Sequence, residues 1–428
     1  VFKASSILFS AAIVSALHAI PASAQYTQTN IITSGNAGSQ SAQLIDPNLI
    51  NPWGLSSAVG GAFWISNQYS NFQNPSTGVS SSVSTLVSVP ATGAPASIPG
   101  LIVNVPNQGN APSSLNGNGT TGQVATGGPN VTTNAATDFL IAGPNGGTPH
   151  EANFIFANQD GSLSAWAGRN SGSPIANTTA TLIPSTVVAG ASFTGLAIGN
   201  NPLAAIGGAS GAQLYAADQN SGNIDVFNSS FHNIGAFSDP NLPTGYTAFN
   251  VQNLNGILFV EYANQNNPNG GIVDEFSTSG MLLKRLIDDS STATNEHLEL
   301  PWGVAIAPST FGQFADDLLV GNNGGDGGIN AFNLTTGAWE GELTLANGQA
   351  FSEGNLWALN FGTGGSGGNA NTLYFTAGGA DETVGLFGSV SSVPEPGSAL
   401  LLGLGGIILA AAKLRARKPR QIDPMILL

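Results

Sequence analysis

The 428-residue chain contains no cysteine. That absence excludes disulfides, thiolate metal sites and cysteine nucleophiles. Stability must come from the core and from sheet closure alone, and a body of more than 300 residues can bury enough surface for that. Charge is scarce too: Asp, Glu, Lys and Arg make up 8% of the residues. Helix formers other than Ala are therefore few, while Asn and the 57 Gly residues interrupt nearly every apolar run. What is present is a series of short β-branched or aromatic runs set between Gly, Asn and Pro turns, the pattern of an all-β protein.

Positive charge is almost missing from the middle of the chain. Lys3 lies at one end and Lys413, Arg415, Arg417, Lys418 and Arg420 at the other. Over 25–390 stand only Arg169, Lys284 and Arg285 against 22 of the 24 acidic residues, a net charge of −19. Such a surface repels nucleic acid, which is bound by neutralising phosphates with Lys and Arg, so no nucleic-acid partner is expected. It could attract cations, or serve only as a solubility field. The histidines are His18, His150, His232 and His297, with no paired-ligand spacing among them. No G-x-S-x-G elbow accompanies them.

Long hydrophobic runs occur only at the two ends. Lys3, an apolar run over 7–20 and the small residues Ala22, Ser23 and Ala24 make a secretory signal peptide over 1–24, cleaved after Ala24. At the other end Pro394, Glu395 and Pro396 precede an apolar run over 398–412 and a basic cluster over 413–420. The run is short for a full span of ~20 residues, and the basic cluster would hold its end in the cytoplasm. This order of parts resembles the PEP-CTERM sorting signal of Gram-negative bacteria. The resemblance implies handling by the export machinery, then by an exosortase-type processing enzyme that cleaves near the motif. The other reading is a permanent anchor through a single C-terminal hydrophobic helix. Both place the body beyond the inner membrane, at the cell surface or outside the cell. The residues 421–428 form a tail past the point where such signals usually stop.

The middle of the chain repeats. The segments 63–67 (FWISN), 154–158 (FIFAN), 214–218 (LYAAD), 258–262 (LFVEY), 318–322 (LLVGN) and 373–377 (LYFTA) share one pattern, a buried strand usually ending on a polar residue. Five of them follow a second apolar strand: 53–55, 195–198, 249–252, 302–306 and 357–361. The last four start 54, 53 and 55 residues apart. Several are followed by a strand that starts at Gly and ends on an aromatic, as in 161–166, 222–227, 271–276 and 328–332. A repeat of about fifty residues with three or four strands predicts the blade of a β-propeller. Six copies predict a six-bladed propeller over 25–390. A stretch almost without large apolar side chains, 105–136, reads as a flexible insertion, and 391–420 as the sorting and transmembrane segment.

The runs 51–54 (NPWG), 245–252 (GYTAFNVQ), 301–305 (PWGVA), 317–321 (DLLVG), 356–359 (LWAL) and 371–379 (NTLYFTAGG) resemble a family of uncharacterised bacterial proteins predicted to be propellers, some with PEP-CTERM tails. The blades are loosely similar to those of NHL and gluconolactonase-type six-bladed propellers. The first resemblance implies a fold without an activity. The second implies a hard divalent cation, calcium being suitable, held by carboxylate and Asn oxygens to activate water.

In such a ring, ligands gather over the central channel. The repeat places Asn67, Asn158, Asp218, Tyr262, Asn322 and Ala377, or their neighbours, near it. Glu151, Asp218, Glu261 and Asn322 have the chemistry a metal or ligand site would need. Glu261 stands out because the other blades carry a small residue there. Recurrent Asn or Asp at a strand end has a plain alternative role, capping the turn that follows. Trp53, Trp302 and Trp357 recur at the start of the inner strand. Stacking on sugars is conceivable for them, but recurrence at one blade position favours packing between blades. The loop from Asn322 to Asp326 lacks the alternation and terminal Glu of a dedicated calcium loop and reads as a Gly turn. No convincing catalytic set emerges. The expectation is a surface binding or extracellular-matrix component directed at polysaccharide or at another surface protein. The alternative is a metal-dependent lactonase or hydrolase working in the channel.

Overall fold

A computed structural model describes residues 26–69, 82–108, 119–143, 147–168, 178–205, 207, 209–290 and 297–393. The expected signal peptide, the Pro394–Glu395–Pro396 motif and the apolar run over 398–412 lie outside them. Among the described residues, no helix is long and apolar enough to cross a membrane.

The chain forms the expected six-bladed propeller. Its blades, in order, start with inner strands Ile50–Ser56, Thr120–Ala125, Phe193–Asn200, Thr247–Leu254, Pro301–Ile306 and Leu356–Phe361. Each inner strand pairs antiparallel with a second strand, and that with a third. The second strands are Phe63–Tyr69, Phe154–Asn158, Ala212–Asp218, Ile257–Ala263, Leu318–Asn322 and Leu373–Ala377, each containing one of the six repeated segments.

Among the described residues the apolar core is divided between the blades, with one cluster reaching the axis. Apolar side chains form six clusters, one wedge between each pair of neighbouring blades. The wedge between blades one and two holds Trp64, Phe154 and Trp166; that between two and three holds Ile155, Phe193 and Leu214. Side chains alternate across a strand, so a fully buried second strand must be apolar on both faces. That is why the repeat reads as an unbroken apolar run.

The inner strands leave little room. Gly54, Gly122, Gly195 and Gly303 occupy one shared position, where each backbone lies against the inner strand of the next blade. A Cβ on Gly54 would sit 2.6 Å from the carbonyl oxygen of Thr121, and one on Gly122 would run into the backbone nitrogen of Leu196. This explains a correction to the sequence reading. The stretch 105–136 is not simply a flexible insertion: its residues Thr120–Ala125 are the buried inner strand of blade two. Val124 is their one large apolar side chain, packed into the wedge between blades two and three, while Gly122 meets the backbone of blade three. Gln123 accepts hydrogen bonds from Ser66 (2.9 Å) and Ser84 (3.1 Å) and donates to the carbonyl of Trp64, all in blade one.

The ring is closed by the N-terminal strand Tyr26–Thr33, which pairs antiparallel with Leu386–Ser392 as the fourth strand of blade six. Tyr26 is fully buried; its hydroxyl donates to the carbonyl of Phe311 in blade five (2.9 Å) and its ring stacks on Phe314. Glu353 grips the same segment, its carboxylate accepting from the side-chain amides of Gln28 and Gln40. Tyr26 pairs with Ser392, so both ends of the body emerge side by side. They do so on the face where inner strands end, here called the lower face.

Candidate ligand-binding mouth of the channel

The channel is plugged. Trp53, Trp302 and Trp357, from blades one, five and six, meet with Phe249 of blade four. The rings of Trp53 and Trp357 stack at 3.5 Å, and Trp302 stands edge-on to both at 6.2 and 5.7 Å. The indole of Trp302 donates to the carbonyl of Thr194 in blade three (3.1 Å), reaching across the ring. Blades two and three carry Thr121 and Thr194 at the corresponding position, which makes room for the four rings. A local device aims the tryptophans. Asn51, Leu300 and Asn355, each two residues before a Trp, adopt left-handed backbone at φ of 44°, 49° and 51°. Packing across the ring thus explains the recurrent Trp.

The plug separates two mouths. The lower one, a cavity of ≈ 120 Å³, is lined by ends of inner strands. Its amides are spent on neighbouring backbone: Asn130 on the carbonyl of Asn253 (2.7 Å), Asn253 on Ile198 (2.8 Å) and Asn360 on Leu55 (3.3 Å).

The upper mouth differs. Its cavity of ≈ 260 Å³ is floored by Trp53, Trp357 and Phe249 and rimmed by Gln68, Gln159, Gln219, Gln265, Asn323 and Glu382, one polar side chain from each blade. These groups follow the second strands. Half of the rim is tied together. The indole of Trp357 donates to Asn51 (2.9 Å), whose amide donates to Gln68 (2.7 Å) and to Glu382 (2.9 Å). Gln68 in turn donates to Gln159 (2.6 Å). Burial pushes the Glu382 carboxyl up, against the pull of the Asn51 hydrogen bond. Glu382 also has left-handed backbone at φ 59°, an unfavourable conformation for this residue that the surrounding contacts must hold. On the other half, the side-chain amides of Gln219 and Gln265 make no hydrogen bond among the described residues. The buried indole N–H of Trp53 is also without a partner.

The residues singled out from sequence do not converge. Glu151 ends the short strand Gly147–Glu151 below blade two, and burial pushes its carboxyl up. Asp218 caps its turn in blade three, accepting from the backbone N–H groups of Ser192 (2.8 Å) and Asn220 (3.0 Å). Asn322 in blade five accepts from the N–H of Glu299 (3.1 Å) and donates to the carbonyl of His297 (2.9 Å). Asn67 and Asn158 are likewise buried and internally bonded. Glu261, in blade four, is fully buried, neither carboxylate oxygen has a partner, and burial holds its carboxyl protonated far above the ordinary range. Among the described residues, no three His, Asp or Glu side chains are grouped to hold a metal ion. Four of the rim residues were open to view in the sequence as the neighbours of strand-end positions, whereas Gln265 and Glu382 lie further along their loops. Asn67–Gln68, Asn158–Gln159 and Asp218–Gln219 repeat one dipeptide pattern, and Asn322–Asn323 varies it.

Comparison with known proteins bears on the end of the chain. Residues 392–418 match the PEP-CTERM protein-sorting motif. That motif marks the chain for export, exosortase processing and surface sorting, and it starts where the last strand of the ring ends. For the body, two curated relatives come from Acanthamoeba polyphaga mimivirus. "Uncharacterized protein L690" is 29% identical over 33% of this chain and 37% of its own length; "Uncharacterized protein R640" is 27% identical over 31% and 26%. The chain therefore spans well under half the length of these relatives. A solved protein of unknown function from Bacteroides thetaiotaomicron is similar with a TM-score of 0.47 at 8% identity, over 86% of this chain and 77% of that one. The WD40 β-propeller domain of Doa1 follows at 0.39 and 9%, over 84% and 96%. A gluconolactonase from Xanthomonas campestris gives 0.32 and 12%, over 56% and 82%. No ligand or activity follows from these likenesses.

Proposed function

We propose that this protein is a binding component of the extracellular surface: a propeller exported by its N-terminal signal peptide, cleaved after Ala24, and displayed through its PEP-CTERM segment. The observation that carries this reading is the upper mouth. It is a cup of five carboxamides and the Asn51-bound carboxyl of Glu382 over a tryptophan floor, in a chain that carries a surface-sorting motif at 392–418. Carboxamides bind by donating and accepting hydrogen bonds and have no titration near neutral pH with which to drive hydrolysis. The partner is surface polysaccharide or another surface protein. The lactonase alternative would need oxygen ligands converging on one point, and Glu151, Asp218, Glu261 and Asn322 are spread over four blades.

Fractionation of producing cells tests the reading. The full chain should reach the outer surface, and a chain lacking 392–418 should lose surface retention. A body that stays inside the inner membrane in both cases refutes it. A lactone and ester screen with metal analysis addresses the alternative: turnover that falls with bound metal in Glu261→Gln would favour the enzyme.

A further inference from the structure

The upper mouth contains more unused hydrogen-bonding capacity than the fold explains. Gln159 receives a hydrogen bond on its oxygen from Gln68, so its N–H₂ is left over. Among the described residues, half-buried Gln219 and exposed Gln265 keep both donors and acceptor, and Trp53 keeps its buried N–H. A buried donor without a partner costs ~1–3 kcal/mol, and the lower mouth shows that this chain elsewhere spends its amides on its own backbone. Gln68, Gln159, Gln219 and Asn323 sit at one repeat position, Gln265 and Glu382 come from the loops of blades four and six, and the six line one cavity.

We infer that the upper mouth is a carbohydrate site, taking the neutral, hydroxyl-rich end of a polysaccharide. This rests on the binding reading above and names its ligand. Each sugar hydroxyl is a donor and an acceptor together, as is each carboxamide, so an amide collar satisfies a ring of hydroxyls whichever way they point. Trp53, Trp357 and Phe249 floor the cup but are only 4%, 2% and 4% exposed, so the grip rests on the amide collar and not on stacking. At ≈ 260 Å³ the cavity is small beside drug-sized sites of ~300–1,000 Å³, so it suits a chain end rather than a long segment. The charge pattern selects among glycans. Among the described residues no Lys, Arg or His stands on the rim, and the body carries net −19, so a uronic-acid polymer is repelled. The rim's one carboxylate, Glu382, is already engaged by Asn51, so an amino sugar has no free counter-ion. Calcium would want several carboxylate oxygens among its six to eight ligands, and the rim has one such side chain. The tied half, from Glu382 through Asn51 and Gln68 to Gln159, is preorganised, and Gln219 with Gln265 completes the grip from the opposite side.

The test uses the full chain in detergent and calorimetric titration with malto-, cello- and manno-oligosaccharides, alginate, chitosan oligosaccharides and calcium chloride. Neutral oligosaccharides should bind, and the double variant Gln219→Ala, Gln265→Ala should weaken them at least tenfold. Those side chains bond to nothing else described, so Tm should not move. Asn360→Ala at the lower mouth should leave binding within twofold. Binding that survives the double variant, tighter binding of alginate or chitosan, calcium binding without glycan binding, or no binding by any neutral oligosaccharide each overturns the proposal. A surface-displayed protein that binds none of them loses this inference and keeps the broader reading. A protein that binds neutral glycan but never leaves the cell does the reverse.

Discussion

Glu261 offers the sharpest test of the packing described above. Its side chain shares a strand face with Phe259 and so points into the wedge of Val304, Leu318 and Val320 between blades four and five. Both carboxylate oxygens are unpartnered there. Substituting Met keeps the volume and removes the polar group, an exchange that costs little in packing and relieves an unsatisfied group worth ~1–3 kcal/mol. The pH dependence follows from the same burial. Unfolded, this group ionises near its ordinary value of 4.5; folded, it stays protonated well above it. Between those limits the native state holds one proton more than the unfolded chain. Stability is therefore greatest below about pH 4.5 and falls by ~1.4 kcal/mol for each unit of rising pH until the folded group ionises. Urea midpoints at pH 5, 6, 7 and 8 measure both effects. Glu261→Met should be more stable than wild type at every pH, with the gap widening as pH rises. Glu261→Gln should remove the pH slope without the constant gain, since its amide remains unsatisfied. A Met variant less stable than wild type, or one with an unchanged slope, would mean that Glu261 has a partner and would return it to the candidate functional residues.

Other outcomes follow from the same structure. Arg285 bridges Asp239, Asp274 (3.5 Å) and Asp288 (3.0 Å), so Arg285→Met leaves two buried acids without their cation. A loss of about 2–3 kcal/mol is expected in urea denaturation, allowing for the partial exposure of Arg285. Burial and the neighbouring Asp239 push the Asp274 carboxyl up to about 7; its contribution is present at low pH and lost as pH rises through that value, so the variant should suffer more at pH 8 than at pH 6. Gly122→Ala drives a Cβ into the backbone of Leu196, and a drop in stability of about 3 kcal/mol or failure to fold is expected; a wild-type Tm would show that the inner strands are looser than drawn. Trp302→Ala should open the plug at a cost of ~3–5 kcal/mol, read by chemical denaturation. Because the chain has no cysteine, single-Cys variants report which way the ring faces. The last strand ends at Ser392 on the lower face, and the five residues 393–397 reach at most ~18 Å. On cells retaining the protein, Gln265→Cys at the upper mouth should react with a bulky impermeant maleimide faster than Leu203→Cys, which is exposed on the lower face; equal or reversed rates refute this orientation.

The blades were legible because their second strands lie in the wedges, where both faces need apolar side chains, and that demand writes an unbroken run such as 318–322 or 373–377. The inner strand of blade two was not legible. Its Thr121 and Gly122 leave the axis to rings from other blades and its Gln123 bonds across to blade one, so with Val124 as its single large apolar residue it has the composition of a loop. The closing strand was hidden for another reason. Tyr26–Thr33 belongs to blade six but lies more than 350 residues from its partner Leu386–Ser392 in the chain, and no local pattern encodes such a pairing. The sequence alone determined the all-β class, the blade repeat, the missing cysteine chemistry and the sorting motif, because each depends on residue types at fixed local spacing. Only the tertiary structure decided what stands around the channel. It made Asp218 a turn cap, tied Asn322 to the loop at His297 and Glu299, buried Glu261 in a wedge, gathered three tryptophans into a plug and brought six polar side chains, distant in sequence, to one rim. Those outcomes depend on which way each side chain points once the ring closes, and closure is a property of all six blades together.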